Sequence, residues 1–206
     1  MPARKYELKQ RAAAQAETRR RIVEAVLALH GELGPARTTI SAVAERAGVE
    51  RLTVYRHFAD EAELFAACSA HFRTEVPPPD PSAWSGARGA RERLLLALLA
   101  FYDYYERGEP VIANVARDAA QLPALAAFVA RRVAFMNTIR DDLVRAWKVR
   151  GSARVRLTAA IGHALAFETW TSLVREQDLT AHEAAELMVQ LARVAASNRT
   201  ATRPRR

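Results

Sequence analysis

The chain has 206 residues, 50% hydrophobic and 26% charged, with a formal net charge of +8, a composition that reads as globular with room for a small head and a larger body. Its single cysteine, Cys68, excludes an internal disulfide and every multi-cysteine metal site, and is read as a small buried hydrophobe. The excess of cations favours a polyanionic partner, because basic side chains displace counterions condensed on phosphates, although charge alone does not name DNA.

The first twenty-one residues carry Arg4, Lys5, Lys9, Arg11, Arg19, Arg20 and Arg21 against only Glu7 and Glu17. Residues 1–16 are therefore expected to form a basic, mobile arm running into a helix. From Glu17 onward, Ile22, Val26, Leu29 and Leu33 recur at alternating spacings of four and three, one stripe of an amphipathic helix that Gly34 and Pro35 end. A second helix is expected after Thr38 or Thr39, whose hydroxyl can accept from first-turn amides, and it runs to Ala47, where Gly48 supplies a tight turn. A third helix of about two turns follows over ERLTVYRHF. Asp60 with Glu63 three residues later is a capping-box-like start for a fourth helix carrying Leu64, Phe65 and Cys68.

Prolines cluster in TEVPPPDPSAWSG, residues 74–86, and cannot continue a helix, so this segment is read as the connector between a head at 17–73 and a helical body at 87–197. The body is expected to hold helices at roughly 87–107, 110–119, 123–148, 152–176 and 180–197, broken at Gly108, Pro110, Pro123, Gly151 and Asp178. Val, Ile and Thr nowhere form the alternating runs that strands need, which makes the fold class all-α. The polar, basic tail at 198–206 is expected to be disordered.

Two short helices joined by a glycine turn pack in many folds, so the residues on the third helix carry the chemistry. If Val49, Val54 and Phe58 face the core, then Arg51, Leu52, Thr53, Tyr55, Arg56 and His57 lie on or beside the outward face. Arginine can bridge guanine O6 and N7, threonine or leucine can touch a thymine methyl, and tyrosine or histidine can donate to phosphate oxygens. Such a helix fits the major groove.

The stretch TTISAVAERAGVERLTVYRHFADEAELF, residues 39–66, closely resembles the DNA-binding domain of the TetR family of transcriptional regulators, in Ala47, Gly48 and Val49 followed by Thr53, Val54, Tyr55, Arg56, His57 and Phe58. The resemblance covers about residues 17–70. It implies a helix-turn-helix head in which Thr39 and Ser41 meet the phosphate backbone, Arg51, Leu52 and Thr53 face base edges, and Tyr55, Arg56 and His57 reach phosphates or neighbouring bases. Two departures stand out: Glu61 occupies a position where the family commonly has a lysine, and Glu50 stands where a small hydroxyl residue is more usual.

The resemblance further implies a helical body that dimerises and senses a ligand. Ala160, Gly162, Ala164 and Ala166 are small residues that let helices approach closely, and Ala185, Leu187, Met188, Leu191 and Val194 give an apolar face, so the last two helices are read as the homodimer seam, with ordinary intrachain core as the alternative. A dimer sets two recognition helices about 34–36 Å apart, matching a palindromic operator in double-stranded DNA. Candidate residues for a hydrophobic or aromatic small-molecule effector are Phe101, Tyr102, Tyr105, Phe128, Met136, Trp147, His163, Phe167 and Trp170, although aromatics at helical spacing also serve as plain core and His163 as a buried, hydrogen-bonded histidine.

No segment approaches the roughly 18 apolar residues of a membrane span, and the N-terminus lacks the hydrophobic stretch of a signal peptide, so a cytoplasmic protein without a membrane partner is expected. The sequence has no HExxH, no phosphate-cradling glycine loop and no nucleophile elbow, and Asp141 and Asp142 point to different sides of a helix, which argues against an enzyme and against a cofactor or catalytic metal. The expected function is a dimeric, ligand-released repressor; the alternatives are a DNA-binding regulator without a ligand and, from another class, an enzyme.

Overall fold

Ile22, Val26 and Leu29 lie on one stripe of a helix, and in the computed structural model, which describes residues 2–197 with side chains from Tyr6, they are buried at the centre of the first of two compact units. The expected tail at 198–206 lies outside the described residues. Among the described residues every regular element is helical. No single helix among them is long and apolar enough to cross a membrane.

The first unit comprises Met1–Pro77 and Gly108–Ala130. It contains helices α1 (Pro2–Glu32), α2 (Ile40–Ala47), α3 (Arg51–His57) and α4 (Glu61–Glu75), with a 3₁₀ turn at Pro35–Arg37. α1 packs on α2 and α4, and Val43, Ala44 and Ala47 of α2, Val54 and Phe58 at α3, and Leu64 and Cys68 of α4 close the core around it. α1 begins well ahead of Glu17: residues 2–16, expected as a mobile arm, continue the helix, in keeping with the high helix propensity of Ala12, Ala13, Ala14 and Ala16.

The same unit contains the C-terminal part of α6 (Ala90–Asp118) and the 3₁₀ turns Ala119–Gln121 and Pro123–Leu125. The break expected at Gly108 and Pro110 is absent, because α6 runs through both. Proline in a helix interior removes one hydrogen bond and crowds the preceding turn. Here packing outweighs that cost: Ile112 and Val115 are buried, and the Asn114 amide donates to the carbonyls of His30 (3.0 Å) and Gly31 (2.8 Å), two of the otherwise free acceptors at the end of α1.

The second unit comprises Pro78–Arg107 and Arg131–Arg206. It holds the short α5 (Ser82–Ser85) with Trp84 fully buried, the N-terminal part of α6, most of α7 (Ala126–Ala146), α8 (Gly151–Ala164), α9 (Phe167–Trp170) and α10 (Ala181–Ala196). The helix expected over 152–176 is interrupted at Leu165 and Ala166, where Ala166 turns to an extended conformation, and a π-helical turn at Thr171–Glu176 follows α9. The interruption is stable because side chains supply donors to the carbonyls there: Tyr102 donates to Ala164 (3.0 Å) and Tyr105 to Leu165 (2.6 Å), while Thr169 (2.6 Å) joins the Ala166 amide (3.0 Å) on the His163 carbonyl. α10 opens with a full capping box, in which the Thr180 hydroxyl accepts from the Glu183 amide and the Glu183 carboxylate accepts from the Thr180 amide.

Candidate nucleic-acid interface

α2 and α3 are held at their ends by local chemistry. The Thr39 hydroxyl accepts from the Ala42 amide at 3.2 Å and caps α2, while its own proton stays available to another acceptor. Gly48 closes α2 in the left-handed region (φ 64°, ψ 42°), with its amide donating back to Ala44 and Glu45 carbonyls. Asp60 caps α4 by accepting from the Glu63 amide at 2.7 Å, as its spacing suggests. The reciprocal half of the box is shifted by one residue, because the Glu63 carboxylate accepts from Ala59 rather than from Asp60.

Between these caps α3 turns Val54 and the following Phe58 inward, 1% and 2% exposed, with Val49 packed at the core edge. Arg51, Leu52, Tyr55 and Arg56 are exposed, Thr53 and His57 half-buried, and Leu52 and Tyr55 show 66% and 52% of their surfaces. A helix that leaves a leucine and a tyrosine this open presents contact surface that the isolated head does not use. The Arg56 guanidinium donates to the Thr53 hydroxyl at 2.9 Å, which fixes its direction along the exposed face. Thr39 and Ser41 are exposed at the start of α2.

Arginines of α1 brace this assembly. Arg19 donates to the His57 carbonyl at 2.9 Å, lies 4.0 Å over the Phe58 ring and pairs with Glu63 at 3.3 Å, so it ties α1 to the end of α3 and the start of α4. Arg21 donates to the Ala47 carbonyl at 3.1 Å, the end of α2. Arg20 is clamped between Glu17 and Glu24. These three arginines, grouped in the sequence with the basic arm, have intramolecular partners.

Residues 22–68 match the model of bacterial regulatory proteins of the tetR family. This span is a DNA-binding domain of the tetR-family type. The matched span runs from the buried half of α1 to Cys68 of α4 and includes the whole of α2 and α3. A TetR-like transcriptional regulator from Rhodococcus sp. RHA1 aligns with a TM-score of 0.64 at 19% identity, over 85% of this chain and 93% of that one. A TetR-family transcription regulator from Marinobacter aquaeolei VT8 aligns with a TM-score of 0.60 at 17% identity, over 91% of this chain and 97% of that one. At such identities the likeness is one of fold. A search of curated proteins finds no match.

The head also contains a histidine that periodicity did not single out. His30, 5% exposed, lies 3.7 Å from the Cys68 sulfur through Nδ1 and 5.7 Å from the Phe65 ring centroid. Burial lowers its pKa to about 4, partly offset by the negative charge of Asp118, so the imidazole is neutral near pH 7. Burial likewise pushes the Cys68 thiol up to about 12, which leaves it unreactive, as expected of a packing residue. His30 occupies a position on the buried stripe of α1 where an aliphatic residue is the ordinary occupant, the one available sign of it in the sequence.

The candidate effector residues separate. In the second unit Phe101, Tyr105, Phe167 and Trp170 form one aromatic cluster, with Tyr105 edge-on to Phe167 at 5.4 Å and 6.0 Å from Trp170. Burial pushes both the Tyr102 and Tyr105 phenols well above their usual range, so both remain donors to their carbonyls. Phe128 instead belongs to the first unit, edge-on to Phe65 at 5.2 Å. His163 is exposed, not buried, with its ring beside the Thr169 hydroxyl at 3.3 Å, and Met136 is half-buried on α7. The helix break at Leu165 explains His163: α8 ends one residue beyond it, and Thr169 donates to the carbonyl at the turn while its oxygen also lies beside the ring.

The expected dimer face also divides. Ala160, Ala164, Ala185 and Met188 are buried within the chain, where α8 packs on α10, whereas Leu187, Leu191 and Val194 remain 47%, 40% and 63% exposed, and Val155 of α8 is 70% exposed.

Proposed function

We propose that the protein is a repressor that binds a palindromic operator as a homodimer and is released by a small hydrophobic or aromatic effector held in the second unit. The observation that carries the DNA part is α3, on which two arginines, a leucine and a tyrosine stand exposed while Val54 and Phe58 anchor the helix from behind. Arg51, Leu52 and Thr53 read base edges, Tyr55, Arg56 and His57 contact phosphates or adjacent bases, and Thr39 and Ser41 seat the start of α2 on the backbone. Glu61, exposed on the first turn of α4, repels the backbone, so no contact is assigned to it.

The homodimer reading rests on Leu187, Leu191 and Val194, which recur at four and three and leave an apolar stripe on α10 that stays exposed among the described residues. Two copies paired through α8 and α10 form a four-helix bundle. The effector reading rests on the aromatic cluster and on three indole nitrogens within the same unit, those of Trp84, Trp147 and Trp170, which are buried and have no hydrogen-bond acceptor among the described residues. A buried donor without an acceptor is costly unless something supplies one. A bound effector acts by favouring a state in which the two recognition helices no longer match successive major grooves.

Selection of binding sites from random DNA by the purified full chain tests the proposal. An enriched inverted repeat whose half-sites are one helical turn apart, with binding lost on adding a cognate aromatic compound, is the expected result. Absence of any sequence preference at moderate salt overturns the operator reading, and preference that no compound relieves removes the effector.

A further inference from the structure

In the part of α1 that precedes the head every residue from Tyr6 to Glu17 is exposed among the described residues. Its cations differ from those of the head. Arg19, Arg20 and Arg21 are tied down by His57, by Glu17 and Glu24, and by Ala47, whereas Lys9 and Arg11 make no hydrogen bond or ion pair with any described residue. At about 100° per residue, Lys9, Arg11 and Leu8 lie within the half-turn centred on Arg19, and Glu7 and Glu17 lie on the other half. That cationic half-turn also contains Ile22 and Val26, the residues through which α1 packs into the head beside α2 and α3. Lys9 and Arg11 therefore stand at the two edges of the side of α1 that carries the recognition helix, each about 80° from Arg19, with Leu8 near the middle of that side.

At about 1.5 Å per residue, Arg11 stands roughly 12 Å and Lys9 roughly 15 Å back along α1 from Arg19, which itself touches the last residue of α3. Those distances are less than half of the roughly 34–36 Å turn of duplex DNA, so they reach backbone next to the base pairs under α3 and not a separate site. We propose that the exposed N-terminal extension of α1 is a second, sequence-independent DNA contact, in which Lys9 and Arg11 neutralise phosphates flanking the base pairs that α3 reads. Leu8, 59% exposed between them, covers deoxyribose edges on the same path. The inference rests on the proposed seating of α3 in the major groove. It adds affinity and footprint length to each head and leaves base preference to α3.

The test uses the full chain and its K9A/R11A and K9E/R11E variants on the operator obtained by selection, with affinity measured against salt concentration. Each phosphate contact contributes close to 0.9 to the log–log slope, so K9A/R11A is expected to flatten the slope by about two per head, worth roughly tenfold in affinity between 50 and 200 mM salt. K9E/R11E weakens binding further, while the ratio of operator to random-duplex affinity stays within about twofold for both. A duplex trimmed to the α3 half-sites makes the wild-type chain behave like K9A/R11A. Because the substituted side chains are exposed, circular dichroism and thermal melting remain those of the wild type. An unchanged slope with normal operator binding by the wild type overturns this inference alone, and so does a loss confined to base discrimination. Failure of the wild type to bind any selected duplex overturns the reading of α3 and this inference with it.

Discussion

The Asp118 carboxylate, at the end of α6, accepts a hydrogen bond of 2.9 Å from the backbone amide of Ala36, which lies 82 residues earlier in the turn that leads into α2. Arg117 completes a clasp on the same turn by donating to Asp118 (2.7 Å) and to the Leu33 carbonyl (3.0 Å). Arg117 and then the Ala36 amide hold the Asp118 carboxyl below the usual carboxylate range. Since Asp118 is 4% exposed, removing the carboxylate leaves the Ala36 amide short of an acceptor, and Asp118→Ala is expected to lose about 1–3 kcal/mol of stability, with Asp118→Asn losing less. A depressed acid stabilises the fold above its unfolded value and ceases to do so as pH falls through the folded one. Denaturant titrations should therefore show a constant gap between wild type and Asp118→Ala from about pH 5 to 8 that narrows below about pH 4.

Gly34 and Gly48 both have positive φ, yet they should respond differently to a methyl group. Gly34 (φ 90°, ψ 158°) is in a region that is essentially reserved for glycine, and a Cβ there collides with the Arg117 guanidinium and the Asp118 carboxylate. Gly48 is in the ordinary left-handed well, and the nearest atom to its Cβ is the Arg21 guanidinium at 3.7 Å. Gly48→Ala is expected to cost about 1–2 kcal/mol, as for any non-glycine residue in that well. Gly34→Ala combines strain of order 1–3 kcal/mol with disruption of the clasp, and urea midpoints should rank the two accordingly. Equal midpoints would show that the clasp yields freely.

His30 gives the head an acid sensitivity of opposite origin. Its folded pKa, about 4, lies below the unfolded value near 6.5 because burial disfavours the imidazolium. Between those two values the unfolded chain binds more protons than the folded one, so stability falls as pH drops from about 6.5 to about 4. His30→Gln removes the titration and should flatten the stability profile across that window, whatever it does to the absolute value at pH 7. A wild-type profile that is already flat between pH 6.5 and 4 contradicts the burial of a neutral imidazole.

Much of the head was legible because local rules and packing agree there: Gly34 and Pro35 end α1, Thr39 and Asp60 cap α2 and α4, Gly48 turns the chain, and the spacing of Val54 and Phe58 fixes which side of α3 faces out. Pro110 misled because the cost it imposes is local, while the gain that overrides it comes from α1, through Asn114 and the buried Ile112 and Val115. The break after Ala164 left no local trace either, since LAFETW carries neither glycine nor proline. Its cause is the pair of hydroxyls on Tyr102 and Tyr105, some sixty residues earlier. For the same reason residues 108–130, read from the sequence as part of the body, share a unit with the head, and Phe128 packs on Phe65 away from the other aromatics proposed for the effector.

On α3 the proposed roles separate by their dependence on sequence. Arg51 is exposed at the first turn of the helix, where a guanidinium can engage guanine bidentately, so Arg51→Ala should cost about 1–3 kcal/mol on the selected operator and relax preference at one base pair. Tyr55→Phe removes one phenolic donor from an exposed ring and should weaken operator and random duplex alike. Quantitative binding to the operator, to single-base variants and to random DNA distinguishes the two patterns. The same uniform loss for both variants would take base reading away from Arg51.

The α10 stripe supplies the last prediction. Leu187, Leu191 and Val194 lie on one face of α10 and are exposed, while Ala184, Ala185, Met188 and Ala192, spread from its edge round to the far side, are buried against the rest of the chain. A charge placed on the exposed stripe costs a lone subunit little, because the side chain remains in water, but it costs a dimer the desolvation of that charge at the seam. Leu187→Glu combined with Leu191→Glu should therefore shift sedimentation to the monomer without lowering the melting of a monomeric reference. Operator affinity should fall steeply as the linked second head is lost, while affinity for an isolated half-site stays near the wild-type value. Retention of the dimer by the double variant would move the seam to another surface of the second unit, and loss of half-site binding would show that the substitutions act through folding and not through association.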